Sequence, residues 1–306
     1  MILKLKLRFQ KRWKNKSVGI ELMATSETVN GKMFSIIMAT YNCGRKIENT
    51  LQSILSQNEE LFELIILDGG STDNTLDYIK KYESSLTLIS EKDDGIYSAF
   101  NKGIEIATGK YIYFIGAGDY LRPNILEQVK EFLPPEIPTL VYGNVYFTKH
   151  KFFDGREFSS SDFTWTNICH QGEFYHRAIF DIVGKYDLRY KVFADWLLNL
   201  KCFLHQGINK LYIPLHIADY EEGGLSSQIS NDPAFKRDFP RFVKKELGIK
   251  AFIICQAKMR NPDALYFTHS LGYGLLYETL LRPLIPVARP FVRGYRSLKK
   301  TITNSK

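Results

Sequence analysis

A short apolar run, FSIIMATYN at residues 34–42, most constrains the fold, because it ends abruptly in polar residues and an amphipathic helix pattern follows. This arrangement predicts the first buried strand of an α/β sheet. Ligands of such sheets sit beyond the carboxyl ends of the strands, so polar residues that close a strand are candidates for binding. Three later strand ends are also polar or acidic: Asp68 closes LIILD, residues 91–94 follow LTLIS, and Asp119 follows KYIYFIGAG.

Strand and helix patterns alternate along the middle of the chain. Apolar runs at residues 64–67, 86–90 and 110–115 predict three further strands, and TLVYGNVYF predicts a fifth. Apolar residues at helical spacing predict a helix in each gap between the first four strands, and the third helix is expected to end at Gly109 as its C-cap. This order predicts an α/β fold with a mostly parallel central sheet flanked by helices.

The sequence lacks the glycine spacing of two familiar nucleotide-binding motifs. No G-x-G-x-x-G follows the first strand, which argues against a dinucleotide-binding turn. Residues 103–110 have the wrong glycine spacing for a phosphate loop, and Tyr111 stands where Ser or Thr would meet magnesium. A bound nucleotide must therefore be held in another way.

The net charge of +8 is concentrated in the two ends of the chain. Residues 1–33 carry about +6 and residues 282–306 about +7, which leaves residues 34–281 at about −5. An acidic body is a poor platform for nucleic acid, whereas basic ends rich in apolar and aromatic residues suit an anionic membrane surface. The four cysteines form no C-x-x-C pattern and suit a reducing cytosol.

The ends of the chain are expected to differ from its body. Residues 1–32 form a basic leader that is interpreted as a solvated, disordered tail. Residues 249–306 mix apolar, aromatic and basic residues, are interrupted by prolines and contain no uninterrupted stretch of about 20 apolar residues. They predict an amphipathic segment that attaches to a membrane surface, and a helical appendage packed on the core is the alternative.

An ordered set of segments carries a family resemblance. SIIMATYN, the turn DGGSTD, the segment SEKDDGIYSAFNKGIEIATGKYIYFIGAGD and the later CHQGEFYHRAIF and FADWLL together resemble a family 2 glycosyltransferase with a GT-A fold. The match covers roughly residues 33–228, and the corresponding domain is placed at residues 33–248. In particular, the chain resembles bacterial transferases that build cell-surface polysaccharides on lipid carriers.

The resemblance implies an inverting enzyme that moves a sugar from a nucleoside-diphosphate-sugar donor to a hydroxyl of a lipid-linked glycan acceptor. Such an enzyme is expected in the cytoplasm, peripheral to the inner face of the plasma membrane. A non-catalytic protein that binds nucleotide sugars or a membrane surface is the alternative.

The first two strand ends are candidates for the donor site. Asp68 lies beside glycines that allow close approach, so its carboxylate can accept hydrogen bonds from a pyrimidine ring or a ribose hydroxyl. Thr40, Tyr41 and Asn42 can flank the base, and the resemblance places these positions in the nucleotide pocket. The alternative for Asp68 is a structural role as a helix cap or Asx-turn.

The third strand end offers two adjacent acids. Since neighbouring side chains of an extended segment point to opposite sides, one of Asp93 and Asp94 is expected to face the ligand. The resemblance selects Asp94, which precedes Gly-Ile-Tyr, and adds Asn101 to the donor site. Lys102 is interpreted as a surface lysine.

Asp119 is the candidate metal ligand. Hard oxygen ligands suit magnesium or manganese, and a divalent cation would stabilise the charge that develops on the diphosphate. The resembled family usually presents two acids as D-x-D, but Gly116-Ala117-Gly118-Asp119 supplies only the last one. The alternative is that Asp119 begins the helix opened by Pro123.

Asp195 in FADWLL is the candidate general base. Its apolar neighbours are expected to desolvate the carboxylate and raise its pKa, and the resemblance places an acidic base at this position. An exposed acid at a helix N-terminus is the alternative. The resemblance also places His170 and Gln171 near the donor sugar or acceptor, and makes GGLSSQ a closing loop in which Ser226 contacts the diphosphate.

Overall fold

The computed structural model describes residues 31–134, 136–221 and 232–260. The strands are β1 Phe34–Thr40, β2 Phe62–Asp68, β3 Thr87–Ser90, β4 Tyr111–Gly116, β5 Tyr120–Leu121, β6 Thr139–Phe147, β7 Phe152–Asp154, β8 Glu173–His176 and β9 Asn209–Tyr220. The helices are α1 Lys46–Leu55, α2 Thr75–Lys80, α3 Ile96–Ile106, α4 Ile125–Lys130, α5 Ala178–Val183, α6 Ala194–Leu204 and α7 Pro233–Arg260. All five strands predicted from the sequence are present.

The chain divides into two compact units, and the first contains the whole sheet. This first unit comprises the described residues of Met1–Arg156, Cys169–Lys185 and Gly207–Glu222. Its strands lie in the order β3-β2-β1-β4-β8-β6-β9-β5, and β7 pairs with β6. The pairs β1–β2, β1–β4, β2–β3 and β6–β9 are parallel, whereas β8 runs antiparallel to both β4 and β6. The carboxyl ends of β1, β2, β3, β4, β6 and β9 therefore lie along one edge of the sheet.

Apolar helix faces bury both sides of the strands. Helix α1 buries Ile47, Leu51 and Ile54, which belong to the same core as alternate residues of the parallel strands. Helix α3 lies so close to β1 that a Cβ atom on Gly103 would come within 2.5 Å of the Ile37 side chain. Removing this apolar surface from water is the main stabilising contribution to such a layered fold.

The prediction that α3 ends at Gly109 is wrong. The helix ends at Ile106, and Ala107 takes an extended conformation as the C-cap. Gly109 is required for a different reason, because a Cβ atom there would lie 2.5 Å from the backbone nitrogen of Ser35. The glycine thus permits close chain approach at the start of β1 instead of a left-handed helix cap.

A half-buried acid organises the amino-terminal edge of the sheet, opposite the strand ends described above. Glu63 Oε1 accepts hydrogen bonds from Ser35 Oγ at 2.5 Å, Thr108 N at 2.6 Å and Gly109 N at 3.1 Å. The Arg177 guanidinium donates to the carbonyls of residues 107 and 108. The start of β1, the start of β2 and the approach to β4 are therefore joined by one polar network.

The second unit comprises the described residues of Glu157–Ile168, Tyr186–Gln206 and Gly223–Lys306. Trp196 of α6 packs against Phe235 and Phe239 of α7, and its indole N–H donates to the Phe163 carbonyl at 2.8 Å. Helix α7 is broken at Gly248, where φ is +86°, next to the predicted boundary between residues 248 and 249. Residues 1–30 and 261–306, which hold most of the predicted leader and attachment segment, lie outside the described residues.

Within the described part of the chain, no helix combines the length and the apolar character needed to cross a bilayer.

Candidate active site

Three strand ends meet at the carboxylate of Asp68. The parallel register places Thr40 of β1 and Ser90 of β3 on either side of this residue. The carboxylate is 2% exposed and accepts five hydrogen bonds. The donors are Thr40 Oγ1 at 3.2 Å, Ser71 Oγ at 2.5 Å, Ser90 Oγ at 2.7 Å, Gly70 N at 3.2 Å and Ser71 N at 3.0 Å.

These contacts keep Asp68 ionised. Burial alone would raise the pKa of the carboxyl, but the hydrogen bonds from Ser71, Ser90 and Thr40 hold it below its usual value. The hydrogen bonds that Asp68 accepts from the backbone N–H groups of residues 70 and 71 are those of an Asx-turn, the alternative role predicted for this residue. Asp68 therefore shapes the turn after β2, and its direct contact with a nucleotide stays a prediction.

The end of β1 is tied to the same turn. Asn42 has a left-handed backbone, with φ of +45°, and its side-chain oxygen accepts from Thr72 N at 2.8 Å. Its backbone N–H donates to Ser71 Oγ at 2.8 Å. Tyr41 is 64% exposed. The structure thus ties Thr40 and Asn42 to Asp68 and its turn, and the place of Thr40, Tyr41 and Asn42 in a donor site stays a prediction.

A cleft of about 270 Å³ opens beyond the carboxyl ends of β2 and β3. It is lined by Leu67, Asp68, Ile89, Glu91, Lys92, Asp93, Asp94, Ser98, Ala99 and Lys102. Asp93 and Asp94 both line it, although the sequence predicted that only one would face the ligand. The turn at Gly95 causes this, because the backbone leaves the extended conformation there and Asp93 Oδ1 accepts from Gly95 N at 2.9 Å.

A further charged group, not predicted to bind a ligand, lies at the cleft. Lys102 was interpreted as a surface lysine, yet its ammonium group forms an ion pair with Glu91 at the cleft. Its position, two turns into the helix that follows Asp93 and Asp94, could have indicated that it lies at the cleft. Asn101 lies next to it on α3 but outside the set of residues that line this cleft.

Asp119 joins the loop after β4 to two other parts of the same edge. Its Oδ2 atom accepts from Gln171 Nε2 at 2.7 Å, and its Oδ1 atom accepts from Glu221 N at 3.0 Å. Helix α4 begins only at Ile125, with Asn124 as its N-cap, so the alternative in which Asp119 begins that helix is wrong. The carboxylate faces the ends of β4 and β9 instead.

The environment of Asp119 favours its protonated form. The residue is 4% exposed, and burial raises the pKa of its carboxyl to about 7 despite hydrogen bonds from Gln171 and from backbone amides. The negative charge of Glu221 raises the pKa further. Glu221 itself accepts from the Tyr120 hydroxyl at 2.6 Å. Glu221 was not predicted as a site residue, although an acid directly after an apolar strand is the pattern that indicated Asp119.

Asp119 and Glu221 are a suitable donor set for a divalent cation. Magnesium is usually bound by one or two carboxylates together with substrate phosphates, and both residues supply hard oxygen atoms. Among the described residues, no group of three or more His, Cys, Asp or Glu side chains is arranged to hold a metal ion. Any metal at this edge would thus need oxygen ligands from the substrate.

The turn from His170 to Gly172 supports this site. Gln171 donates to Asp119 through its side chain and accepts from the Tyr113 hydroxyl at 2.7 Å through its carbonyl. Burial lowers the pKa of His170 to about 4, so the imidazole is neutral at pH 7. Its Nε2 atom is buried with no hydrogen-bond partner in the described part of the chain. Gln171 therefore positions Asp119.

Asp195 lies in the first turn of α6, in the second unit. It is half-buried, and its Oδ2 atom accepts from Asn167 Nδ2 at 2.8 Å. The Asn167 side-chain oxygen in turn accepts from Asn199 Nδ2 at 3.0 Å, which fixes the orientation of the donating amide. The structure thus holds Asp195 in one position. Ser226 lies outside the described residues.

Comparison with known proteins supports the family assignment. The family described as glycosyl transferase family 2 matches residues 35–186. A PGL/p-HBAD biosynthesis glycosyltransferase of Mycobacterium tuberculosis is 38% identical over 230 residues, which cover 72% of this chain and 89% of the relative. The Escherichia coli UDP-Glc:alpha-D-GlcNAc-diphosphoundecaprenol beta-1,3-glucosyltransferase WfaP is 35% identical over 120 residues, covering 39% of this chain and 48% of WfaP.

Solved structures support the fold. The crystal structure of S. aureus TarS residues 1–349 with UDP-GlcNAc superposes with a TM-score of 0.60 at 20% identity, covering 79% of this chain and 75% of that one. The α/β architecture with its mostly parallel sheet is that of GT-A glycosyltransferases. The relatives act in the biosynthesis of polysaccharides and glycolipids. This chain belongs to glycosyl transferase family 2 and is a glycosyltransferase.

Proposed function

We propose that this enzyme transfers a sugar from a uridine-diphosphate-sugar donor to a hydroxyl of a lipid-linked glycan, with inversion at the anomeric carbon. The observation that carries the proposal is the acid-lined cleft at the ends of β2 and β3, on the same sheet edge as Asp119 and Glu221. WfaP is named for a UDP-Glc donor and a diphosphoundecaprenol acceptor, and TarS was crystallised with UDP-GlcNAc, which supports this choice of substrates.

The cleft would bind the nucleoside. Asp94 accepts hydrogen bonds from the base or ribose, and Thr40, Tyr41 and Asn42 flank the base, with Asn101 on the neighbouring helix. Asp68 acts mainly by holding the turn after β2, since its oxygen atoms already accept from five donors. Lys102 offers a positive charge to the donor when its pair with Glu91 opens.

Asp119 and Glu221 would hold a divalent cation, manganese or magnesium. Enzymes of this family generally use such an ion. When bound, it neutralises charge on the diphosphate leaving group. Gln171 keeps the Asp119 carboxylate oriented, and Ser226 is proposed as a further contact to the diphosphate.

Asp195 is proposed as the general base. It takes the proton of the acceptor hydroxyl while that oxygen forms a bond to the anomeric carbon and the bond from that carbon to the diphosphate breaks. A single displacement inverts the anomeric configuration, and the nucleoside diphosphate leaves with the bonding electrons. His170, neutral at pH 7, can donate or accept a hydrogen bond to the donor sugar or acceptor at its buried Nε2 atom.

The place of action is proposed to be the cytoplasmic face of the plasma membrane. Basic residues concentrate in residues 1–32 and at the end of residues 249–306, and an anionic leaflet attracts such segments. Attachment there would bring the enzyme to a lipid-linked acceptor.

Thermal stabilisation by nucleotides tests the donor and metal site. UDP, GDP, dTDP and CMP are each added with and without manganese to the native protein, Asp119→Ala and Asp195→Asn. We expect stabilisation by UDP with manganese in the native protein and Asp195→Asn but not in Asp119→Ala, because Asp119 is proposed as a metal ligand and Asp195 is not. No stabilisation by any nucleotide, or equal stabilisation of Asp119→Ala, would contradict the proposed donor site.

A further inference from the structure

The hairpin formed by β6 and β7 carries an exposed aromatic surface. Tyr146 pairs with Phe153 across the two strands, and their ring centroids are 4.9 Å apart. The Phe153 ring also lies 4.9 Å from the His216 ring. Phe153 nevertheless remains 59% exposed. Its ring is therefore supported on one side and presented to solvent on the other.

The turn of the same hairpin is basic. Lys149, His150 and Lys151 are consecutive and exposed, and they directly precede Phe152 and Phe153. The acid of the hairpin, Asp154, pairs with buried Val145 and has a buried carboxylate oxygen, so it belongs to the other face of the strands. Apolar aromatic rings beside exposed lysines are the composition of an interfacial membrane contact.

The hairpin projects from the edge that bears the candidate metal site. Thr148 donates through its backbone N–H and its hydroxyl to the Tyr220 carbonyl, at 3.1 and 3.2 Å. The next residue, Glu221, donates its backbone N–H to Asp119. A surface that binds the hairpin tip would therefore face the edge where the transfer takes place.

We propose that this hairpin is a membrane-contact element, in which Phe153 enters the interface of an anionic bilayer and Lys149 and Lys151 meet lipid headgroups. The idea rests on the proposed function, because a lipid-linked acceptor requires the active edge to face the bilayer. Contact by the hairpin is distinct from attachment by the basic ends of the chain, since it fixes the orientation of the first unit on the membrane and not only its location.

Fluorescence of an introduced indole tests the contact in the full-length protein. Phe153→Trp is compared with Ile106→Trp, a control at a residue 38% exposed at the end of α3, on the opposite edge. Vesicles of phosphatidylglycerol and phosphatidylcholine with brominated acyl chains are added, and the signal of the unsubstituted protein is subtracted. We expect a blue shift and quenching for Phe153→Trp and neither for Ile106→Trp.

Charge reversal in the turn provides a second measurement. Combining Lys149→Glu and Lys151→Glu with Phe153→Trp should reduce quenching about fivefold or more, since each lysine near an anionic surface contributes about 1 kcal/mol. The control reverses Lys80 and Lys81 at the end of α2. Equal reductions in both variants would overturn the proposal.

Other outcomes separate the contact from the proposed function. Unchanged Phe153→Trp emission on vesicles that carry the protein overturns the membrane contact, even if UDP and manganese still stabilise the enzyme. Unchanged emission together with concentration-dependent dimerisation would indicate that the β7 edge binds a second copy of this chain. That result would equally overturn the membrane contact. A blue shift without stabilisation by any nucleotide supports the contact while contradicting the donor site.

Discussion

Asp68 and Asp119 end two strands of one sheet and are almost equally buried, yet their surroundings drive their pKa values in opposite directions. Asp68 receives three hydroxyl groups and two backbone N–H groups, which hold its pKa below the usual value. At Asp119, burial outweighs the hydrogen bonds from a side-chain amide and backbone amides and, together with the negative charge of Glu221, raises the pKa to about 7.

The difference distinguishes an acid that stabilises the fold, Asp68, from an acid that suits cation binding, Asp119. A carboxylate with all its hydrogen bonds satisfied gains little from a ligand, so Asp68 stabilises the turn beside the cleft. A buried carboxyl with insufficient compensation gains much from a cation. Burial of an acid at a strand end is therefore a poor guide to its role, and the number and type of its donors is a better one.

The largest expected effect is a difference in how stability depends on pH. In the metal-free protein, folded Asp119 keeps its proton up to about pH 7, whereas the unfolded chain releases it near pH 3.8. The unfolding free energy of the native protein should therefore fall relative to Asp119→Asn as pH rises from about 4 to 7, by up to about 4 kcal/mol, and level off above.

Urea unfolding at several pH values measures this difference. The pH dependence of stability due to Asp68 has the opposite sign. Because the pKa of Asp68 is lower in the folded than in the unfolded state, the residue stabilises the fold at pH values above its unfolded pKa, and this stabilisation is lost as the pH falls through its folded pKa. Parallel pH profiles for the native protein and Asp119→Asn would show that Asp119 is not protonated in the folded state.

The next effect concerns stability at pH 7. Asp68→Asn should lower the unfolding free energy by about 3 kcal/mol, because the NH2 group that replaces one carboxylate oxygen cannot accept from the hydroxyl and N–H donors that face it. Asp119→Asn should not lower it, since the substitution removes an acid whose ionisation at that buried site is unfavourable. Equal losses in denaturant titrations of the two variants would remove the distinction between the two acids.

The smallest effect tests the role of Glu221 in that distinction. Glu221→Gln removes a neighbouring negative charge and should lower the pKa of Asp119, which changes stability near pH 7 by about 1 kcal/mol. The same substitution should weaken stabilisation by UDP with manganese. Glu105→Gln, at an exposed acid paired with Lys185, is the matched control and should leave both quantities unchanged.

The parallel half of the sheet was predictable because buried strands produce continuous apolar runs. Strands β1, β2, β3 and β4 follow such runs, and the helices between them show clear periodicity. The insertion of antiparallel β8 between β4 and β6 was not predictable, since strand order depends on contacts between distant segments. Gly109 was misassigned because a helix cap and a close approach of two chains require the same residue type.

The positions of the candidate acids were predictable where a strand end alone indicated them. Asp68, Asp94 and Asp119 all follow apolar runs and lie at the predicted edge. The contact between Asp119 and Glu221 joins residues 102 positions apart, so no local pattern could indicate it. Lys102 was missed because its helix face was judged without knowing that β3 ends beside it.

The Glu63 network has a consequence for how such enzymes diversify. It ties residues 107–109 and the starts of β1 and β2 at the edge remote from the cleft, without using any residue that lines it. Loops at the other edge can then vary in length and composition while the strands keep their register. Grafting the turn after β2 from a relative should therefore leave the strand register unchanged.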